Sequence, residues 1–155
     1  MLTDKEIILR LTLSVILSGL IGLERQMQRR NAGLRTHMLV CLGSCLIMLT
    51  SLYVFDIYKG IAQVDPSRIA AGVITGIGFL GAGTIIRESE RIIGLTTAAS
   101  LWVVAGIGLA VGTGFYVAGI FSTILTLVVL FFLRFFEGIM FHKEDDLRGG
   151  EGNGI

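Results

Sequence analysis

The sequence predicts an all-α integral membrane protein with five transmembrane helices, the N-terminus outside and the C-terminus cytoplasmic. Three observations carry that expectation. The 155 residues are 53% hydrophobic and 16% charged, with a single proline and a mean hydropathy of +0.78, which excludes the disordered and secreted classes. Leu95 to Leu133 holds no charged residue, and at about 1.5 Å per helical residue it would reach roughly 58 Å, about twice a bilayer's hydrocarbon core. It must reverse, and Gly112-Thr113-Gly114 offers the turn at low steric cost. Finally, arginines gather in alternate loops, as the positive-inside rule requires.

The first helix, Ile7 to Leu23, is interrupted only by Arg10, close enough to its end to snorkel toward the headgroups. Four arginines follow it and no small-residue cleavage site does, so it reads as an anchor rather than a removable signal. The second, Met38 to Phe55, is uncharged, and Cys41 and Cys45 share one of its faces as small packing residues. Asp65-Pro66-Ser67 marks the start of the third, Ile69 to Ile86, with an N-cap acid before a proline in the first turn. Thr96 or Thr97 is expected to cap the fourth, Leu95 to Val111, and the fifth runs from Phe115 to Leu133. Arg25, Arg29, Arg30, Arg35, Arg87, Arg91, Arg134, Lys143 and Arg148 fall on the cytoplasmic side of this arrangement, and Lys5, Arg10, Lys59 and Arg68 on the other. Residues 1–141 form the membrane domain, and the glycine-rich polar tail 142–155 is expected to be disordered.

The third helix carries Gly72, Gly76, Gly78, Gly81 and Gly83. Gly76, Gly78 and Gly81 match G-x-G-x-x-G, but the match lies within a helix, with no preceding strand and no acid at the ribose position, so it is not a dinucleotide site. At about 100° per residue, Gly72, Gly76 and Gly83 share one side while Gly78 and Gly81 point to the other. Glycine on both sides predicts a central helix closely packed by two neighbours. The alternative is local unwinding that presents carbonyls to an ion.

No Asp, Glu, Lys or Arg lies near the middle of a predicted span, which argues against a buried proton relay. Hydroxyls such as Ser14, Ser18, Ser44, Thr75, Thr84 and Ser100 remain, and a magnesium ion wants carboxylates as well. Charge concentrates at helix ends instead, with Glu24 and Arg25 closing the first helix, Arg35 opening the second, and Arg87 and Glu88 closing the third. These are candidates for ion pairs that tie helix ends together, or for ligand or partner recognition. Asp65 is either a cap or a carboxylate facing an external ion. His37 and His142 are the only histidines, and no nucleophile-base pair, zinc spacing, P-loop or nucleic-acid module is present. An enzyme is not expected.

Three stretches, GLIGLERQ continuing to AGLRTHMLV, RIAAGVITGIGFLGAGTIIR, and GLTTAASLWVVAGIGLAVGTGFY, together resemble the MgtC/SapB family of bacterial inner-membrane proteins. That resemblance implies membrane regulators linked to growth in low magnesium and to virulence, acting on partners such as the proton-driven ATP synthase. It maps functional candidates onto Glu24, Arg25, Gly33, Arg35 and Thr36, onto Arg68 through Arg87 with Gly76, Gly78, Gly81, Gly83 and Thr84, and onto Thr96, Thr97 and Trp102. After the fifth helix the longer members carry a folded cytoplasmic domain, whereas this chain continues only as HKEDDLRGGEGNGI and is nearer the short, SapB-like form. The expected function is therefore a non-catalytic homo-oligomer supporting magnesium and envelope homeostasis through other membrane proteins and the lipid bilayer. No nucleic acid and no cofactor are expected; magnesium is not evident as one. Two alternatives stand beside it: a small magnesium or other cation transporter or channel using Gly76 to Thr84, and a module binding an anionic lipid or metabolite between Arg25, Arg35 and Arg87.

Overall fold

A computed structural model describes residues 2–89 and 91–149, with side chains as far as Phe132. Helix α1 (Asp4–Met27) opens on a reciprocal cap: the Thr3 hydroxyl accepts from the Glu6 amide, and the Thr3 amide donates to the Glu6 carboxylate at 2.8 Å. Helix α2 (Leu34–Tyr58) starts after Gly33. Helix α3 (Pro66–Gly83) starts where the sequence marks it, with the Ser67 amide donating to Asp65 at 2.8 Å and proline in the first turn. A short antiparallel hairpin follows, β1 (Ile86–Glu88) and β2 (Arg91–Ile93), with Ile86 opposite Ile93. Helix α4 (Leu95–Thr113) ends against Gly114, whose φ of +86° makes the reversal into α5 (Tyr116–Gly149).

Five helices form, but the prediction of five transmembrane helices is corrected. Among the described residues, α1, α2 and α4 are long and apolar enough to cross a membrane. Helix α3 has 18 residues, and its polar first turn and many glycines dilute the apolar character that a span needs. The chain leaves the helix at Gly83, so Ile86 joins the hairpin instead of completing a crossing. In α5 the apolar described stretch, Tyr116–Phe132, is shorter than a full span. The hairpin also means that the fold is not purely helical. Of the tail predicted at 142–155, residues 150–155 lie outside the described residues, and side chains from 133 onward are not described.

The expected centre shifts as well. Helix α4, not α3, is the hub, packed against α1, α2, α3 and α5. The core gathers Leu17, Ile21, Cys41, Cys45, Val104, Ile107 and Val111. Both cysteines are free and buried, filling space as small apolar side chains do. The close approach is made by other glycines than those of α3. A Cβ at Gly108 would overlap the Cys41 carbonyl, one at Gly112 would lie 2.7 Å from the Met48 Cβ, and one at Gly22 would lie 2.8 Å from the Leu34 Cα. Around Gly72, Gly76, Gly78 and Gly83 there is open space within 4 Å, and only Gly81 meets α4, where a Cβ would lie 3.6 Å from that of Ala98. Periodicity tells which residues share a face; it does not tell which face finds a neighbour. Helix α3 is nevertheless continuous through Gly76 to Gly83.

The α3 start yields a prediction. The Ser67 hydroxyl at 2.7 Å, and its amide, hold the Asp65 carboxyl below the usual carboxylate range. A carboxyl lowered in the folded state stabilises above its unfolded pKa, and that contribution disappears as pH falls through the folded value. Amide protection at Ser67 and Arg68 is expected to drop on acidification in the wild type, and to be low and insensitive to pH in Asp65→Ala, as read by hydrogen exchange.

Candidate functional site

Three clusters of polar residues join or close the ends of the helices. In the first, Arg10 is 7% exposed. Its Nη1 donates to the Gly112 carbonyl at 2.8 Å, its Nε to the Tyr116 hydroxyl at 3.2 Å, and the guanidinium lies 6.0 Å from the Tyr116 ring centroid. Gly112 belongs to the last turn of α4, whose carbonyls lack helical donors and carry the negative end of the helix dipole. Arg10 thus caps α4 and clamps α1 to the α4–α5 turn. It does not snorkel outward. Its shape explains why a charge is tolerated there: the planar fork gives both carbonyl and phenol a donor at once.

The second cluster joins α2 to α4. His37 is fully buried, with Nδ1 2.8 Å from the Gly33 carbonyl and Nε2 3.0 Å from the Ser100 hydroxyl. Ser100 Oγ also lies 2.8 Å from the Thr97 carbonyl. A carbonyl can only accept, so Nδ1 carries a proton, and the single hydroxyl proton of Ser100 serves either Nε2 or the Thr97 carbonyl. Replacing His37 with alanine leaves a cavity and deprives Gly33 and Ser100 of their partner, an expected loss of about 2–4 kcal/mol. Ser100→Ala is expected to cost about 1 kcal/mol. Denaturant unfolding in micelles measures both.

The third cluster is at the end of α1. Glu24 and Arg25 form a forked pair, Arg25 Nη2 to Glu24 Oε1 at 2.8 Å and Arg25 Nε to Glu24 Oε2. The Arg25 side chain is 4% exposed and that of Glu24 13%. The pair therefore closes within one helix end instead of bridging two. Arg35 and Thr36 are exposed at the start of α2, and Arg87 is exposed on β1; neither arginine joins an ion pair among the described residues. Arg25 is thus engaged by Glu24, while Arg35 and Arg87 stand exposed on α2 and β1.

The remaining candidates have local roles. Gly33 supplies the carbonyl for His37 and lies against Gln26, whose side-chain oxygen accepts from the Leu34 amide at 3.2 Å. The Thr84 hydroxyl donates to the Gly81 carbonyl at 2.8 Å. Arg68 is exposed, and Trp102 is 51% exposed on the apolar exterior. Thr96 and Thr97 do not cap α4. The N-cap is Gly94, with φ +97° and no side-chain cap, and a Cβ there would overlap the Thr84 carbonyl. Sequence reasoning missed Arg10 and His37. A charge interrupting an apolar run was the available signal for Arg10; for His37 none existed, since its partners lie on the preceding loop and 63 residues downstream. Among the described residues no group of three or more His, Cys, Asp or Glu side chains is placed to hold a metal ion.

Buried polar groups that join helices or bond back within one, beneath an apolar exterior that exposes Ile8, Leu39, Phe79 and Phe121, define a multi-pass helical membrane protein. The chain belongs to the MgtC family, whose model matches residues 11–139. It is 51% identical over 127 residues to YhiD of Escherichia coli (strain K12), covering 81% of this chain and 59% of that protein. It is 40% identical over 134 residues to SapB of Bacillus subtilis (strain 168), covering 84% and 57%. With MgtC of Salmonella typhimurium (strain LT2) the identity is 43% over 127 residues, covering 82% and 52%. The chain thus spans little more than half the length of these relatives. No solved structure matches it significantly. Family and apolar helices together place it in the bacterial inner membrane.

Proposed function

We propose that the chain supports magnesium and envelope homeostasis, the processes in which its family is implicated, by contacting other proteins within the membrane rather than by carrying an ion. The observation that supports this reading is the outer side of α3. Gly72, Gly76 and Gly83 lie there around Phe79, which is 83% exposed, with open space where side chains would otherwise stand. A glycine row bare to the membrane lets the backbone of a foreign helix come close, and the glycines used inside the bundle are different ones. The occupant is a transmembrane helix of another membrane protein, and the family resemblance makes the ATP synthase the first to examine.

A photo-crosslinking residue in place of Phe79, activated in native membranes, is expected to capture a different membrane protein, with capture lost in Gly76→Leu. Self-adducts alone would make α3 an interface between copies of this chain. The transport reading is tested separately by magnesium flux into liposomes holding the correctly inserted protein. Flux at the level of empty liposomes is expected, and saturable uptake would overturn the proposal.

A further inference from the structure

A cavity of about 460 Å³ lies where the α1–α2 loop meets the start of α4. Its polar lining comes from Arg29, Arg30 and Asn31 on one side and from Gly94, Thr96 and Thr97 on the other. Chain geometry aims the loop. After the last turn of α1 the Arg29 amide donates to the Gln26 carbonyl at 2.9 Å and the Arg30 amide to the Arg25 carbonyl at 3.1 Å, the double bond of a helix that ends on a left-handed residue. That residue is Arg29, with φ +53°. Glycine is the usual occupant of this position, and the long cationic side chain stands there at a conformational cost of about 1–2 kcal/mol.

Opposite the arginines is the start of α4. Gly94 has no side chain with which to accept from the amides of Leu95, Thr96 and Thr97, and no side-chain cap is formed. Three donors and the positive end of the helix dipole are therefore free to meet an anion. A second feature points the same way. Thr97 is 4% exposed and lines this cavity, while its hydroxyl, unlike those of Ser100 and Thr84, makes no hydrogen bond among the described residues. Neither Arg29 nor Arg30 joins an ion pair among them. Among the described residues no carboxylate lines the cavity.

We infer that this cavity binds a phosphate-bearing anion. The helix-start amides and the Thr97 hydroxyl would donate to its oxygens, with Arg29 and Arg30 closing over it as charge-assisted donors. The ligand is either the phosphodiester of an anionic lipid or a free phosphate, both of which present the same oxygens. This site is distinct from the α3 face and does not depend on it.

The full chain in nanodiscs separates the two sources. In mixed discs, native mass spectrometry compares retention of phosphatidylglycerol with phosphatidylcholine; in pure phosphatidylcholine discs, calorimetry measures binding of inorganic phosphate. Retention of the anionic lipid, or saturable phosphate binding, is expected, and the arm that responds names the source. Combined Arg29→Gln and Arg30→Gln should weaken that binding at least about tenfold, and Thr97→Val severalfold, the usual value of charged hydrogen bonds. Arg35→Gln, an exposed arginine outside the cavity, should leave it unchanged. A response in neither arm, an equal loss in Arg35→Gln, or full binding in Thr97→Val overturns the inference. Thermal unfolding of each variant confirms that the exposed substitutions leave the fold intact.

Discussion

Replacing Gly108 with leucine is expected to prevent the bundle from forming. At this position α2 and α4 touch backbone to backbone: a Cβ would overlap the Cys41 carbonyl and come within 2.8 Å of the Ser44 Cβ. A carbonyl fixed in a helix cannot rotate away, so relief requires the two axes to separate, and the buried Cys41, Cys45, Val104 and Ile107 would lose their contacts with them. Overpacking commonly costs about 1–3 kcal/mol where side chains can yield; a clash against main chain at the hub exceeds that range. The expected readout is aggregated or protease-sensitive protein after extraction. Gly106→Ala is the control, since Gly106 faces open space on the same helix and should be neutral or slightly stabilising through helix propensity. The same holds for Gly72→Ala and Gly76→Ala, so the glycines that look most important in the sequence are expected to be the tolerant ones for stability.

Arg10→Ala is the second large effect. Its guanidinium occupies a nearly closed site, and truncation removes donors to the Gly112 carbonyl and the Tyr116 hydroxyl while leaving a void beside Gly114, whose own Cβ position lies 3.0 Å from Arg10 Nη2. A hydrogen bond from a charged donor contributes about 1.5–3 kcal/mol, and a buried carbonyl left without a partner adds its own penalty. A loss of about 3 kcal/mol is expected, with the α4–α5 turn opening first. Hydrogen exchange at Phe115 and Tyr116 and the unfolding midpoint in micelles measure the two parts. Arg10→Lys should recover only part of the loss, because an ammonium cannot reproduce the planar fork.

Much of the fold was legible because the solvent is a bilayer. Uncharged runs located α1, α2 and α4 within a few residues, Asp65-Pro66-Ser67 gave the start of α3, and Gly112 to Gly114 gave the turn. The count of crossings failed where composition was read without helix length, for α3 stops at Gly83 and the next residues pair as strands too short to show alternation. The choice of hub failed for a different reason. Gly108 and Gly112 look no different from Gly72 and Gly76 in one dimension, and only the arrangement of neighbours decides which pair is covered. Among site residues, Glu24 and Arg25 were recognised as a charged pair at a helix end, but adjacency in sequence concealed that they would satisfy each other. Thr97 was noticed as a cap, and its position beside Arg29 and Arg30 depends on how the α1–α2 loop folds over α4.

The bare side of α3 also bears on the entropy of association. Most protein surfaces must immobilise long side chains when a partner arrives, at roughly 0.5–1.5 kcal/mol for each flexible one. Gly72, Gly76 and Gly83 have no rotamers to lose, and the helix that carries them is already tied down at both ends, by the Ser51 hydroxyl on the Pro66 carbonyl at 2.6 Å and by the hairpin that leads into Gly94. A helix settling on this face would find the backbone ordered in advance, with Phe79 the main side chain left to arrest.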